Sequence, residues 1–177
     1  MKLNNKTIVI VAADKFEESE LIYPLHRMKE EGANVILAGI RDKGTLIVSK
    51  EGFKIPLHEH VSAIDLDSVH AVIIPGGFSP DYIRTHERVQ ELLHHVHSKG
   101  GVVAAICHGP WVLISAGLLK DRQCTCYFAI KDDVINAGGR YQDSPVVVDN
   151  RIITSRRPDD LGAFCKAIID QVSKLNF

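Results

Sequence analysis

Residues 102–110 read Val-Val-Ala-Ala-Ile-Cys-His-Gly-Pro, and this stretch decides the fold that the sequence predicts. Its first five residues are all apolar, which is typical of a strand buried on both faces. A helix is predicted from about Gly109, so the chain turns from strand to helix at Cys107. Small residues stand two positions before and two after this cysteine, as a nucleophile on a sharp strand-to-helix turn requires. The stretch therefore predicts a nucleophile elbow in an α/β protein.

Strand and helix patterns alternate on both sides of this stretch. Buried strands are predicted at residues 7–12, 34–38, 71–74 and 102–106, and helices at 17–31, 89–96, 109–115 and 160–175. Two hairpins are predicted, at residues 41–55 and 146–154, and Pro24 should kink the first helix or reset its start. Alternating strands and helices indicate a three-layer α/β sandwich with a mainly parallel sheet.

Length and composition limit the classes of protein to consider. The chain has 177 residues, of which 45% are hydrophobic and 24% charged, and we expect one domain over residues 1–177. A net charge of −1 offers no basic surface for nucleic acid or anionic membrane. No apolar run approaches the ~18 residues of a membrane span. Four cysteines without a C-x-x-C pair indicate reduced thiols, so we expect a cytoplasmic location.

The carboxyl ends of the strands are where ligands bind in such sheets, which directs attention to residues 13–18, 75–81 and 106–110. At Cys107, helix N-terminal amides should lower the pKa of the thiol, and the amide of His108 could stabilise an oxyanion. Two glycines after Pro75 could turn further amides toward the same oxygen. A carboxylate near Glu17 could hydrogen-bond the thiol, or could merely face a helix N-terminus. A buried structural cysteine remains the alternative.

Five motifs together resemble those of the PfpI intracellular protease family. They are residues 14–24 (Asp-Lys-Phe-Glu-Glu-Ser-Glu-Leu-Ile-Tyr-Pro), 74–77 (Ile-Pro-Gly-Gly), 105–110 (Ala-Ile-Cys-His-Gly-Pro), 130–138 and 155–161. This family belongs to the class I glutamine amidotransferase-like superfamily, which includes the parkinsonism-associated deglycase and glyoxalases that need no glutathione. The resemblance implies a flavodoxin-like fold and an enzyme without a cofactor.

The resemblance also implies roles for individual residues. It makes Cys107 the nucleophile, His108 its adjacent base or orienting partner, and Glu17 the carboxylate that contacts the thiol. It places the oxyanion hole at Gly77 and the amide of His108.

Three further positions follow from the same resemblance. Tyr127 and Gly76 are assigned to the substrate pocket. Asp81 stands where the hexameric proteases have a glutamate that reaches the histidine of a neighbouring subunit, and it is one methylene shorter. A homodimer or a homohexamer is implied.

Several functions remain open from the sequence. A Cys107 thiolate could attack a reactive aldehyde or its adduct on protein, as a glyoxalase or deglycase, or a peptide bond, as a peptidase or amidase. The non-enzymatic alternative is a redox sensor or stress chaperone that uses oxidation of Cys107. A glutaminase is excluded because no histidine follows His108. The nine histidines show no zinc-binding spacing, so no metal site is expected.

Overall fold

Eleven strands and six helices make up the computed structural model, which describes residues 1–177. The strands are β1 (Thr7–Val11), β2 (Asn34–Gly39), β3 (Leu46–Val48), β4 (Lys54–Pro56), β5 (Glu59–His60), β6 (Val69–Ile74), β7 (Val102–Ile106), β8 (Gln123–Cys124), β9 (Arg140–Tyr141), β10 (Val146–Asp149) and β11 (Ile152–Ser155). The helices are α1 (Glu18–Glu30), α2 (Ser79–Ile83), α3 (Glu87–Ser98), α4 (Pro110–Ser115), α5 (Lys131–Asn136) and α6 (Leu161–Val172). None of these helices is both long and apolar enough to cross a membrane.

Seven of the strands form one sheet in the order β10-β11-β7-β6-β1-β2-β5. Every neighbouring pair is parallel except β10 and β11, which form an antiparallel hairpin at one edge. The strands β3 and β4 form a separate antiparallel hairpin. Both hairpins and the mainly parallel sheet were predicted from the sequence, and the structure confirms them.

The sheet is buried on both faces, which explains its continuous apolar strands. In β6, Ala71 and Ile73 pack on one side with residues of α1 and α6. The alternate residues Val72 and Ile74 pack on the other side with residues of α3 and α4. Because successive side chains of a strand point to opposite faces, each strand contributes to both halves of the core. The result is the three-layer sandwich that the sequence predicts.

Pro24 was predicted either to kink the first helix or to reset its start, and the structure excludes the second alternative. Pro24 neither ends nor restarts it: α1 runs from Glu18 to Glu30 with Pro24 inside and buried. Proline has no N–H, so the carbonyl of Glu20 loses its usual helical partner. Packing of the apolar side of α1 against the sheet holds the helix together across this gap.

We predict that Ile168→Ala lowers the free energy of unfolding by about 2–5 kcal/mol, because the side chain in α6 is fully buried and its loss leaves a cavity. The matched variant is Ile135→Ala, whose side chain is 45% exposed in α5, and we expect a change of less than about 0.5 kcal/mol there. Urea unfolding of both variants measures this. Equal losses would contradict the burial described here.

Candidate active site

The loops that follow β1 and β6 are joined to each other beside the end of β7. Phe16 pairs with Gly77 in a short antiparallel bridge, and the Phe78 N–H donates to the Lys15 carbonyl at 2.8 Å. The N–H of Ala13 donates to Ser79 Oγ at 2.8 Å. Since β7, β6 and β1 are neighbours in the sheet, these contacts bring the three predicted strand ends together.

Cys107 lies at the elbow between β7 and α4, in a left-handed backbone conformation with φ of 62°. Such a value is rare for a residue with a side chain and is typical of strained functional turns. Two hydrogen bonds fix it: its N–H donates to the Ser155 carbonyl, and its carbonyl accepts from the Tyr127 N–H, each at 3.0 Å. A Cβ on Gly109 would lie 2.5 Å from the Ile74 carbonyl oxygen. The turn therefore has room only for glycine there.

The two glycines after β6 have different positions. Gly77 has φ of 73°, and a Cβ there would lie 2.6 Å from the Glu17 nitrogen. A Cβ on Gly76 would lie 2.7 Å from the Cys107 Cβ. Gly76 thus lies behind the thiol and does not line the pocket, which corrects its assignment to the substrate pocket.

The N–H groups of Gly77 and His108 both act on the Cys107 sulfur. Neither donates to a backbone carbonyl, and both lower the pKa of the thiol. Donors that converge on one nucleophile are also placed to bind an oxygen that becomes negative when this nucleophile attacks a carbonyl. The two N–H groups therefore lie where the resemblance places an oxyanion hole, and that role stays a prediction.

The carboxyl group beside the thiol belongs to Glu20, not to Glu17. A Cβ on Gly76 would be 2.7 Å both from Glu20 Oε2 and from Cys107 Cβ, so the carboxyl and the thiol flank the same point. The Gly76 N–H donates to Oε2 at 2.8 Å, whereas Oε1 is buried with no hydrogen-bond partner. This finding corrects the sequence-based assignment of the thiol contact to Glu17.

Glu17 precedes α1 and faces the β3–β4 hairpin instead. Its Oε2 accepts a hydrogen bond from Lys50 Nζ at 2.8 Å. Lys50 is held in place by its own N–H, which donates to the Phe16 carbonyl at 3.0 Å, and by the neighbouring Ser49, whose hydroxyl bonds Glu18. The pair forms one wall of the pocket, and sequence reasoning did not identify Lys50.

The Cys107 thiol and the Glu20 carboxyl are close enough that the protonation of one affects the pKa of the other. Burial raises the pKa of Glu20 to about 7. Burial and then the charge of Glu20 raise the pKa of Cys107 well above its ordinary value, against the opposing effect of the backbone amides. The expectation of a lowered thiol pKa was wrong, because it counted the amides and not the desolvation. When Glu20 holds the proton, its repulsion of the thiolate disappears.

His108 completes the surroundings of the thiol. Its Nδ1 is 3.3 Å from Cys107 Sγ, and its ring packs against Tyr127, with ring centroids 5.1 Å apart, and edge-on against Trp111. Burial, and secondly the charge of Lys50, lower the pKa of His108. The imidazole is therefore neutral near pH 7 and can accept a proton.

A pocket of about 260 Å³ contains most of these groups. It is lined by Glu17, Glu20, Lys50, Gly77, Phe78, Cys107, His108, Tyr127 and Pro158. Asp81 is outside it: this residue is exposed on α2 and lines a separate cavity with Lys15, Phe78, Tyr82 and Trp111. Five of the seven residues that the resemblance identified thus line one pocket, whereas Gly76 lies next to Cys107 without lining it and Asp81 lies apart. No group of three or more potential metal ligands occurs in the chain.

Comparison with known proteins identifies the family to which the chain is similar. A model of the DJ-1/PfpI family matches residues 6–171. The deglycase PfpI of Pyrococcus furiosus is 41% identical over 162 residues, which cover 92% of this chain and 96% of that protein. A Bacillus subtilis protein, YraA, which is provisionally named a cysteine protease, is 40% identical over 160 residues, with coverage of 90% and 94%.

Solved structures confirm the predicted flavodoxin-like sandwich. The structure of Drosophila melanogaster DJ-1beta superposes with a TM-score of 0.90 at 27% identity, covering 97% of this chain and 92% of that one. A two-domain protein from Anabaena variabilis, with DJ-1/ThiJ/PfpI-like and ferritin-like domains, gives a TM-score of 0.91 at 34% identity. That match covers 94% of this chain and 48% of the two-domain protein.

We predict that Glu20→Gln stabilises the protein more at about pH 8 than at about pH 4. With a pKa of about 7 instead of 4.5, the folded state holds a proton that the unfolded state releases, so the natural chain loses stability as pH rises between these values. Each pH unit between the two pKa values is equivalent to about 1.4 kcal/mol, so the free energy of unfolding of the natural chain falls by about 3 kcal/mol over this range. Urea unfolding at both pH values measures it. Exposed Glu51→Gln is the control, and an equal effect of Glu20→Gln at both pH values would refute the assignment.

Proposed function

Because this chain belongs to the DJ-1/PfpI family, we propose that it is a cysteine-dependent enzyme that converts α-oxoaldehydes, free or as adducts on protein, into 2-hydroxy acids. One observation carries the proposal. A thiol, a buried carboxyl able to hold a proton near pH 7, and two free N–H groups converge on a small pocket. Relatives named deglycase support the same chemistry.

The first step is attack of the Cys107 sulfur on the aldehyde carbon. The thiol proton passes to the coupled carboxylate of Glu20 or to neutral His108, and the new C–S bond pushes the carbonyl electron pair onto oxygen. The N–H groups of Gly77 and His108 stabilise this oxyanion. Return of that proton from the Glu20 carboxyl or His108 to the oxyanion gives a neutral hemithioacetal on Cys107 and leaves the base free for the next step.

The second step moves a proton between the two carbons of the substrate. A base removes the proton from the carbon bound to sulfur, the electron pair forms an enediol, and a proton returns to the neighbouring carbon. Glu20 is suited to this role because its pKa of about 7 allows it both to accept and to release a proton at neutral pH. Water then hydrolyses the resulting thioester. Methylglyoxal plus water gives lactate overall, and no other reactant is needed.

The position of Asp81 favours aldehyde chemistry over peptide hydrolysis. A peptidase needs a carboxylate to orient its histidine, and Asp81, which lines another cavity, does not supply one within this chain. A second copy of the chain could do so, and exposed Phe78 and Tyr82 beside Asp81 offer a contact surface for a homodimer or a homohexamer. Aldehyde conversion depends on no such contact.

Redox sensing is the second candidate, and the exposure of the cysteines favours it. Cys107 has 8% of its surface exposed, whereas Cys124, Cys126 and Cys165 have at most 1%. An oxidant diffusing from solution therefore meets Cys107 first.

We predict that the natural chain forms lactate from methylglyoxal and that Cys107→Ser lowers this rate roughly 100-fold or more, since the nucleophile is lost. Lactate itself must be assayed, because any thiol removes the aldehyde reversibly. The control is Cys165→Ala, which removes a thiol from the core and should keep the activity. Lactate formation by Cys107→Ser at the natural rate, or by neither protein, would refute the proposal.

We also predict that mild peroxide adds oxygen to Cys107 before the other three cysteines, as measured by intact-mass and peptide analysis. Cys107→Ser should then show no early mass increase. Selective oxidation without any turnover of aldehyde would make sensing the primary function. Equal oxidation of all four cysteines would contradict the burial order given above.

A further inference from the structure

A second cavity adjoins the catalytic pocket, and the proposed chemistry does not use it. It has a volume of about 530 Å³, about twice that of the catalytic pocket. The two share Tyr127 and Pro158 as lining residues, so they lie next to each other. A free three-carbon aldehyde fits the smaller pocket alone. The larger cavity therefore provides room for the group that carries the aldehyde.

The two arginines of this cavity differ in how their donors are used. Arg156 donates to both carboxylate oxygens of Asp160, at 3.0 and 3.2 Å, and to Asp143 Oδ1 at 2.6 Å. The Arg157 guanidinium makes no hydrogen bond; its paired carboxylate oxygen is Asp159 Oδ2, 3.5 Å from Nε. The side chains of Arg157 and Asp159 are 53% and 82% exposed, so this pairing is weak. Arg157 is the cation of the cavity whose donors are open to a ligand.

Aromatic side chains connect the two cavities. The Phe128 ring is 73% exposed and packs on Tyr127, with ring centroids 4.6 Å apart. Tyr127 in turn packs on His108 at 5.1 Å. Tyr141 lines the other side of the cavity, with Lys131 Nζ 5.3 Å from its ring centroid. An exposed apolar surface thus leads from the reacting thiol toward Arg157.

We infer that this cavity is a carrier subsite, in which Arg157 binds a carboxylate on the amino acid or peptide that bears the carbonyl adduct. A guanidinium with free donors matches a carboxylate in bidentate geometry, and Tyr127 with Phe128 covers the apolar linker. The inference rests on the proposed function and narrows its substrate to adducts that carry an acidic group. Asp143 already accepts a hydrogen bond from Arg156, so the Arg157 guanidinium stays available to the ligand.

The test uses two stable analogues of a methylglyoxal–thiol adduct that differ in one group. S-acetonyl-N-acetylcysteine has a methyl ketone and a free carboxylate, and its carboxamide has the same ketone without the charge. Titration calorimetry with the full chain gives the dissociation constant of each. Because both probes present the same ketone to Cys107, their ratio reports the carboxylate alone.

We expect the carboxylate probe to bind the natural chain about fivefold more tightly than the carboxamide, the size typical of a half-exposed charge pair. Arg157→Gln should reduce this preference to within about twofold, and high salt should weaken it. The matched control is Arg140→Gln, which removes an equally charged, exposed arginine outside the cavity. That control should keep the natural preference.

Equal binding of the two probes to the natural chain would overturn the inference, as would a preference that survives in Arg157→Gln or no binding of either probe. The result is independent of turnover. An Arg157-dependent preference in a protein that makes no lactate would establish the subsite and reject the proposed function. Lactate formation by a protein that shows no such preference would support the proposed function and reject the subsite.

Discussion

Crowding at the ends of three adjacent strands is the constraint on which the rest of the site depends. The ends of β1, β6 and β7 approach so closely that a side chain on Gly76 or Gly109 would collide with neighbouring atoms. At the same place Cys107 has a left-handed conformation, and the N–H groups of Gly77 and His108 have no backbone partners. A strained cysteine and two free donors thus lie together at the strand ends, which is the arrangement on which the proposed function depends.

The same close packing buries the Glu20 carboxyl next to the Cys107 thiol, and burial disfavours the charged form of each group. Burial raises the pKa of Glu20 to about 7 and that of Cys107 well above its ordinary value, so near neutral pH the thiol keeps its proton and Glu20 is the group that gains or loses one. Glu17 and Lys50, by contrast, are closer to solvent and neutralise each other at 2.8 Å. The site therefore combines a buried carboxyl–thiol pair with a partly exposed ion pair.

The sequence predicted the features of the site that depend on residues close together along the chain. The elbow at Cys107 and the glycine loop after β6 are short-range patterns, and both are present where predicted. The thiol contact was assigned to Glu17. Glu20 precedes Pro24 by four residues, and Pro24 precedes Met28 by four, so all three lie on the buried side of α1. A carboxylate at an otherwise apolar, buried position of the helix was the signal in the sequence that could have identified Glu20. Lys50 carried no signal, because only tertiary packing brings the β3–β4 hairpin to the thiol.

Part of the lining of the two cavities comes from segments that are distant in the chain from the thiol. Lys50 belongs to the small β3–β4 hairpin, and Phe128 and Arg157 belong to connections outside the main sheet. Close packing leaves the residues around Cys107 little freedom to vary, whereas these peripheral segments are exposed and can change without disturbing the core. Evolution can therefore alter which molecules this scaffold accepts while its reactive centre stays the same.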